Sequence, residues 1–425
     1  MSTLRWCAVL ACGLVPAVLP LAARAQHAHP TNAATNATTS VPVLRFGAHA
    51  VPLFTHVTPI VQGRSLTEGY LTQPMLMADA SIYSGMLRVQ AAVSLEALTI
   101  DRGELGAGAY GEGYIDRRHP HTYLHELVLT ASGDVGPATA SAVVGRGFVP
   151  FGTDDPMMRP FVKFPVNHHL GQILERVIAI GGVRAGPAMV EAALFNGNEP
   201  FDAKDTGSLD RFGDSWSVRA TVFPVNGLEA QASRAWVVSP EMPSGGGNDQ
   251  RKYSTSARYR GPTRVGGVYA LAEWKRTTEI SGLTELYSFG SVLGEIALER
   301  NGWRPAVRVE RSERPEEQRT FSQFRSPWPH SGAHGMGLTE WTILSARLEK
   351  ALAAGALRFA PFAEVSFSRV EETAGGFFEP APFYGGTRIW TFNAGARLGA
   401  GWHPPRMGRY GVAADAPSRP THDHH

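Results

Sequence analysis

The chain has 425 residues, 40 Lys and Arg against 38 Asp and Glu, and two cysteines, Cys7 and Cys12. So even a charge balance gives no electrostatic footprint for nucleic acid, and two cysteines confined to the first dozen residues exclude a disulfide framework downstream. Beyond residue 25 no stretch approaches the ~20 consecutive apolar residues of a transmembrane helix, which leaves a soluble exported protein or a barrel that crosses a membrane with strands.

Residues 1–25 predict a secretory signal peptide: Arg5, then an apolar run, then the small-x-small site Ala23-Arg24-Ala25. Its removal takes both cysteines and two arginines, leaving 38 basic residues (40 − 2) against 38 acidic ones. Residues 26–40 are Ala/Thr/Asn-rich, too poor in apolar side chains to build a core. Residues 41–83 are more apolar but hold Pro42, Pro52, Pro59 and Pro74 and show no sustained period. The whole stretch 26–83 is predicted as an N-terminal periplasmic tail or strap, or as a plug folded into a lumen.

From residue 84 the pattern changes. Leu87, Val89, Ala91, Val93 and Leu95 share one parity, opposed by Arg88, Gln90, Ser94 and Glu96. Val307 and Val309 oppose Arg304, Arg308 and Glu310; Trp390, Phe392, Ala394, Ala396 and Leu398 oppose Thr391, Asn393 and Arg397. Period-two alternation of this kind is the signature of a strand with one apolar face. Strands of about 84–99, 122–132, 137–147, 174–185, 188–195, 215–224, 228–238, 252–259, 264–277, 288–300, 303–312, 340–351, 357–368 and 388–401 follow. Many reach the ~9–11 residues a tilted membrane-spanning strand requires, and charges sit in the middle of the polar faces. Tight Gly/Pro/Asn turns alternate with links of roughly ten to twenty-six residues, and outer-membrane barrels connect their strands in that way.

On these features the chain resembles the Gram-negative outer-membrane β-barrel, or porin-like, superfamily over about residues 84–402. The resemblance implies an all-β transmembrane antiparallel β-barrel of about fourteen strands, with twelve or sixteen as alternatives. It implies both termini in the periplasm, insertion by the barrel-assembly machinery reading a terminal aromatic such as Trp402, and contact with outer-membrane lipid. The tail 403–425 bears histidines and is expected to be solvated.

The inward faces then predict lumen-lining charges: Arg88, Glu96, Glu191, Arg219, Glu229, Glu295, Arg304, Arg308, Glu310, Arg347, Glu349, Arg358, Glu364 and Arg397. Acids and bases are mixed, so no single-sign ring fixes an ion selectivity. The function expected is a porin-like channel for small polar solutes; the alternative is a substrate-specific transporter for hydrophobic compounds or metal complexes, with an N-terminal plug. No enzyme motif emerges: His125-Glu126 lacks the second histidine of a zinc-protease helix, with Leu129 in its place, and Ser331 near His334 has no partner motif.

No cofactor is predicted. The histidines His119, His121, His125, His168 and His169 fall in the long links and are a candidate divalent-metal set at the rim. The terminal histidines of "HAHP" and "HDHH" are a second, weaker one. Because His125 has the parity of Leu127 and Leu129, a regular strand turns it away from Glu126, and a structural role for these histidines is the favoured expectation.

Overall fold

A computed structural model describes residues 42–100, 121–153, 155–161, 168–200, 202–317, 335–355, 357–373 and 376–414. The elements are almost all strands: β1 (Val43–Val61), β2 (Arg64–Ile82), β3 (Leu87–Ser94), β4 (Leu124–Val135), β5 (Ala138–Gly147), β6 (Arg176–Ala185), β7 (Ala188–Phe195) and β8 (Ser215–Val225). The second half comprises β9 (Leu228–Val237), β10 (Asp249–Thr263), β11 (Gly266–Ser281), β12 (Thr284–Glu299) and β13 (Trp303–Glu317). Then come β14 (Gly335–Lys350, prolonged past a one-residue break by Leu352–Ala354), β15 (Leu357–Glu372) and β16 (Arg388–Gly401).

Each strand pairs antiparallel with the next, and β1 pairs with both β2 and β16. The seam runs from Gly47 opposite Gly401 to Thr58 opposite Trp390. The result is a closed sixteen-strand barrel. Closure matters because a wall in lipid leaves unpaired N–H and C=O groups nowhere to go.

Sixteen strands replace the fourteen expected. The extra pair is β1 and β2, 19 residues each, from a segment expected to be a strap or plug. Its prolines hid the alternation. A proline breaks a ladder except at edges and bulges, and here the β1–β2 register shifts between His49 and Val51, beside Pro52 and Pro74, and again between Val57 and Val61, around Pro59. A second difference concerns the link between β11 and β12. The ladder continues to Ser281 opposite Thr284, although Thr277, Thr278 and Glu279 end the apolar alternation; strand pairing outruns the apolar band.

One end of the barrel carries the short turns, the other the long loops together with two tight hairpins at 62–63 and 282–283. Gly136 and Gly186, at φ 61° and 54°, close short turns in a left-handed conformation that a β-carbon would strain. Both β1 and β16 have their free ends on the short-turn side.

The faces invert the soluble rule. Val307 and Val309 are 44% and 55% exposed while Arg308 and Glu310 between and beside them are 2% exposed. Trp390 and Phe392 stand outside, stacked at 6.1 Å, and Thr391 and Asn393 are buried inside. An apolar exterior around charged inward faces is stable only where the outer solvent is hydrocarbon. Among the described residues no helix is long and apolar enough to cross a membrane; the strands do it. Ala394, exposed at the middle of β16, should sit near the bilayer midplane. Ala394→Arg is expected to lower unfolding stability in lipid vesicles by about 2–4 kcal/mol, measured by denaturant titration, whereas a change below ~0.5 kcal/mol, as at an ordinary surface, would refute the face assignment.

Candidate functional site

Two segments enter the barrel. After β16 the Trp402 N–H donates to Phe46 O at 2.7 Å, and Pro404 and Pro405 end the ladder. The chain then turns inward. Arg406 forks onto Glu229 of β9 at 2.6 and 3.1 Å, and Arg409 lies 3.8 Å from the same carboxylate. Tyr410 donates its hydroxyl to Glu126 of β4 at 2.6 Å and accepts from the Phe148 N–H at 3.1 Å. The Val412 N–H, in the 3-10 turn Gly411–Ala413, donates to Ser141 of β5 at 3.1 Å. Met407 and Tyr410 join a buried cluster with Met75, Val128, Phe148 and Ile178 on the inner wall. The tail expected at 403–425 to be solvated is therefore a lumen insert through residue 414; residues 415–425 lie outside the described residues. Sequence reasoning missed this because a barrel interior, unlike a soluble core, accepts an arginine-rich, period-free segment if acids await it.

The second insert is the loop between β5 and β6. Phe161, fully buried, packs against Tyr269, Leu271, Leu293, Ala297 and Ala306, and the Arg308 guanidinium lies 4.5 Å over its ring. Arg159 pairs with Glu273 at 3.0 Å and stands 3.7 Å from Glu295. Thr153 bonds Glu273, and the Gly152 N–H donates to Ser233 at 3.0 Å. Arg397 donates to the carbonyls of Arg159 and Pro160 at 2.7 and 3.0 Å. The loop thus leaves β5 and reaches the wall formed by β9, β11, β12, β13 and β16. The two inserts also touch, Arg409 donating to Gly152 O at 3.3 Å.

Most of the charges predicted to line the lumen are paired along the wall, and the rest are hydrogen-bonded. Arg88 and Arg45 both bond Asp79; Glu191 holds Arg219 at 2.8 Å; Arg308 meets Glu295 at 3.0 Å. Arg347 bridges Glu349 at 2.6 Å and Glu364 at 3.1 Å. Arg304 lies 3.3 Å from Glu299 and 3.7 Å from Glu349, which is also 3.7 Å from Arg397. Glu310 accepts from Ser312 at 2.8 Å, and Arg358, at the short-turn rim, donates to Gly401 O at 2.9 Å. Glu96 is not on a strand: it begins the short helix Glu96–Thr99 and accepts from Thr72 Oγ1 at 2.6 Å and the Gln73 N–H at 3.0 Å. Such pairing is what buried charges require, since an unpaired one costs several kcal/mol. Arg159, Glu273, Lys275, Arg314, Glu316 and Arg406 form further buried ion pairs of this kind and were not among the expected set. Glu273 and Lys275 share the inward parity of Leu271 in β11, a signal that was legible; the others sit on inserts or beyond the predicted strand ends.

The rim histidines divide. His119 lies outside the described residues. His168 and His169 open the 3-10 turn His168–Gly171, and their side chains lie outside the described residues too. His121 and His125 come together, ring centroids 4.9 Å apart and nearly perpendicular. A bulge turns His125 away from the direction a regular strand would give it: Ala92 pairs with Glu126 but Val93 pairs with Leu124, leaving His125 as the extra residue. A bulge re-aims one side chain, so His125 and Glu126 are both buried, at 1% and 5%. Glu175, left-handed at φ 59° before β6, completes the group. Its Oε1 stands 2.7 Å from His125 Nδ1 and 3.4 Å from His121 Nδ1, and accepts the Thr122 N–H at 3.0 Å. Burial pulls the His121 pKa down, but the hydrogen bond to Glu175 and the charges of Glu96 and Glu175 override it and raise it to about 9. Burial likewise pushes Glu175 up, and the two imidazoles outweigh it, holding the carboxyl well below the usual carboxylate range.

No family model and no curated protein matches the chain. Among solved structures it is similar to an anion-selective porin from Comamonas acidovorans, with TM-score 0.51 and 11% identity over 85% of this chain and 100% of that one. It is also similar to a loop L8 deletion mutant of OmpT, an outer membrane protein of Vibrio cholerae, with TM-score 0.50 and 10% identity over 85% and 100%. The likeness is one of fold, that of the porin-like barrels. Within that frame the C-terminal insert hangs on Glu229, which faces Arg258, Arg406 and Arg409. Glu229→Ala should cost about 3–5 kcal/mol by stranding these guanidinium groups and expose the insert to trypsin at Arg406 and Arg409. Unchanged trypsin resistance would show that other contacts hold it.

Proposed function

We propose that the protein is an outer-membrane porin-like channel for the passive passage of small polar solutes, its short-turn end and chain termini in the periplasm. The observation that carries this reading is the inverted wall: apolar side chains face outward around the barrel while arginines and glutamates line its inside. The porin-like fold supports it. In this reading, lipid and the barrel-assembly machinery are partners during insertion, with Trp402 at the end of the last strand as the recognised aromatic, and the wall does no chemistry.

The inserts set the aperture. The loop between β5 and β6 narrows the bore from one end and residues 403–414 from the other, and side-by-side pairing of acids with bases leaves little net field to sort cations from anions. The transporter alternative relied on 26–83 as its plug, but 43–82 are wall.

Purified, heat-modifiable protein in planar bilayers tests the reading. Small conductance steps with similar potassium and chloride permeability are expected, and a chain ending after Trp402 should conduct more. Absence of steps from correctly assembled protein would sink the channel; equal conductance of the two chains would remove the C-terminal segment from the aperture.

A further inference from the structure

The mouth on the loop side holds a group of side chains that conduction does not use. His121, His125 and Glu175 each offer one donor atom, and the three atoms lie within 4.8 Å of one another. No other set of three such residues is gathered this closely among the described residues. We propose that these three residues bind a divalent transition-metal ion of the zinc class.

Four observations carry this. Two imidazoles and a carboxylate are a donor set suited to zinc, copper or nickel and poorly suited to calcium or magnesium, which take oxygen ligands. The group is preformed on three separate pieces of backbone: the approach to β4, the bulge within it, and the residue before β6. His125 Nε2 is buried with no hydrogen-bond partner among the described residues, and a buried ring nitrogen without a partner is costly unless something else engages the ring. Finally, two buried carboxylates border His121, with Glu175 and Glu96 side chains each 4% exposed. Glu96 Oε1 is tied down by Thr72 and Gln73, whereas its Oε2 stands 3.8 Å from His121 Nε2, too far for a hydrogen bond.

Glu96 Oε2 faces His121 Nε2, and a small shift of the ring onto the ion would close that gap to a hydrogen bond, making Glu96 a positioning residue like the carboxylates behind metal-bound imidazoles. By contrast, His49 and His403 approach to 6.1 Å between rings, but among the described residues no acid joins them to make such a group.

The site is independent of the channel reading, since an ion held at the mouth requires no open bore. Its test uses the full chain in detergent with His27, His29, His422, His424 and His425 replaced by alanine, which removes adventitious binding by the terminal histidines. Calorimetric titration with zinc chloride should give one ion per chain with sub-micromolar affinity. His121→Ala and Glu175→Gln should abolish that affinity, and Glu96→Gln should weaken it about 10–100-fold. Loading with one equivalent of copper(II) should show electron-spin coupling to two imidazole nitrogens, a readout that needs no ligand variant to fold. Affinity no better than millimolar, a copper signal lacking two-nitrogen coupling, or zinc affinity unchanged in properly assembled His121→Ala would each overturn the proposal.

Discussion

Everything in this molecule depends on one seam, the hydrogen-bonded contact of β1 with β16. A polypeptide wall in hydrocarbon has no water to satisfy its backbone, so an open edge costs several kcal/mol for each stranded group. The seam is ten paired positions long, and it removes both edges at once. Only after closure do the two faces acquire different solvents, lipid outside and a confined polar space within, and the inverted distribution of Val309 and Glu310 becomes stable.

Confinement then dictates the electrostatics. Inside the wall an arginine has little water, so its carboxylate partner must lie within reach on the wall or arrive on an insert. Both solutions are present. Arg347 pairs with acids on β14 and β15, whereas Glu229 is met by Arg406 from beyond the last strand and Glu273 by Arg159 from the loop. The guanidinium group serves well here because its planar fork satisfies a carboxylate with two bonds and stacks on an aromatic ring besides. Arg406 shows the fork, on Glu229, and Arg314 the stacking, paired with Glu316, lying 4.4 Å over Trp341 and donating to Tyr384.

Period-two alternation made the barrel legible in the sequence, since lipid and lumen impose opposite demands on successive residues and the demand repeats in every strand. The rule failed wherever a strand ceased to be regular. Pro52, Pro59 and Pro74 masked β1 and β2 because bulges absorb them. His125 was assigned to the outer face because parity cannot foresee an extra residue. The inserts were invisible for a different reason: Phe161 and Tyr410 are held by contacts from distant strands, and no local period encodes which wall position will face a given loop. Thus lumen charges within the apolar alternation could be read, whereas Arg314 and Glu316, past the predicted end of their strand, and those brought by inserts could not, and of the rim histidines only the three-dimensional meeting of His121, His125 and Glu175 distinguishes two from the rest.

The position of the C-terminal insert has a consequence for the order of events in assembly. It follows the very strand that seals the wall, yet its anchors, Glu126, Ser141 and Glu229, belong to strands made much earlier in the chain. Those anchors face a common bore only once the sheet has curled. The segment is therefore a late arrival by geometry: the wall is its template, and its docking certifies that β4, β5 and β9 already stand in register. A chain stalled before closure keeps Arg406, Arg409 and Tyr410 without their partners and with Trp402 and the strand end before it still accessible. In this way the segment from Arg406 to Val412 carries a built-in record of whether the barrel's own folding has finished.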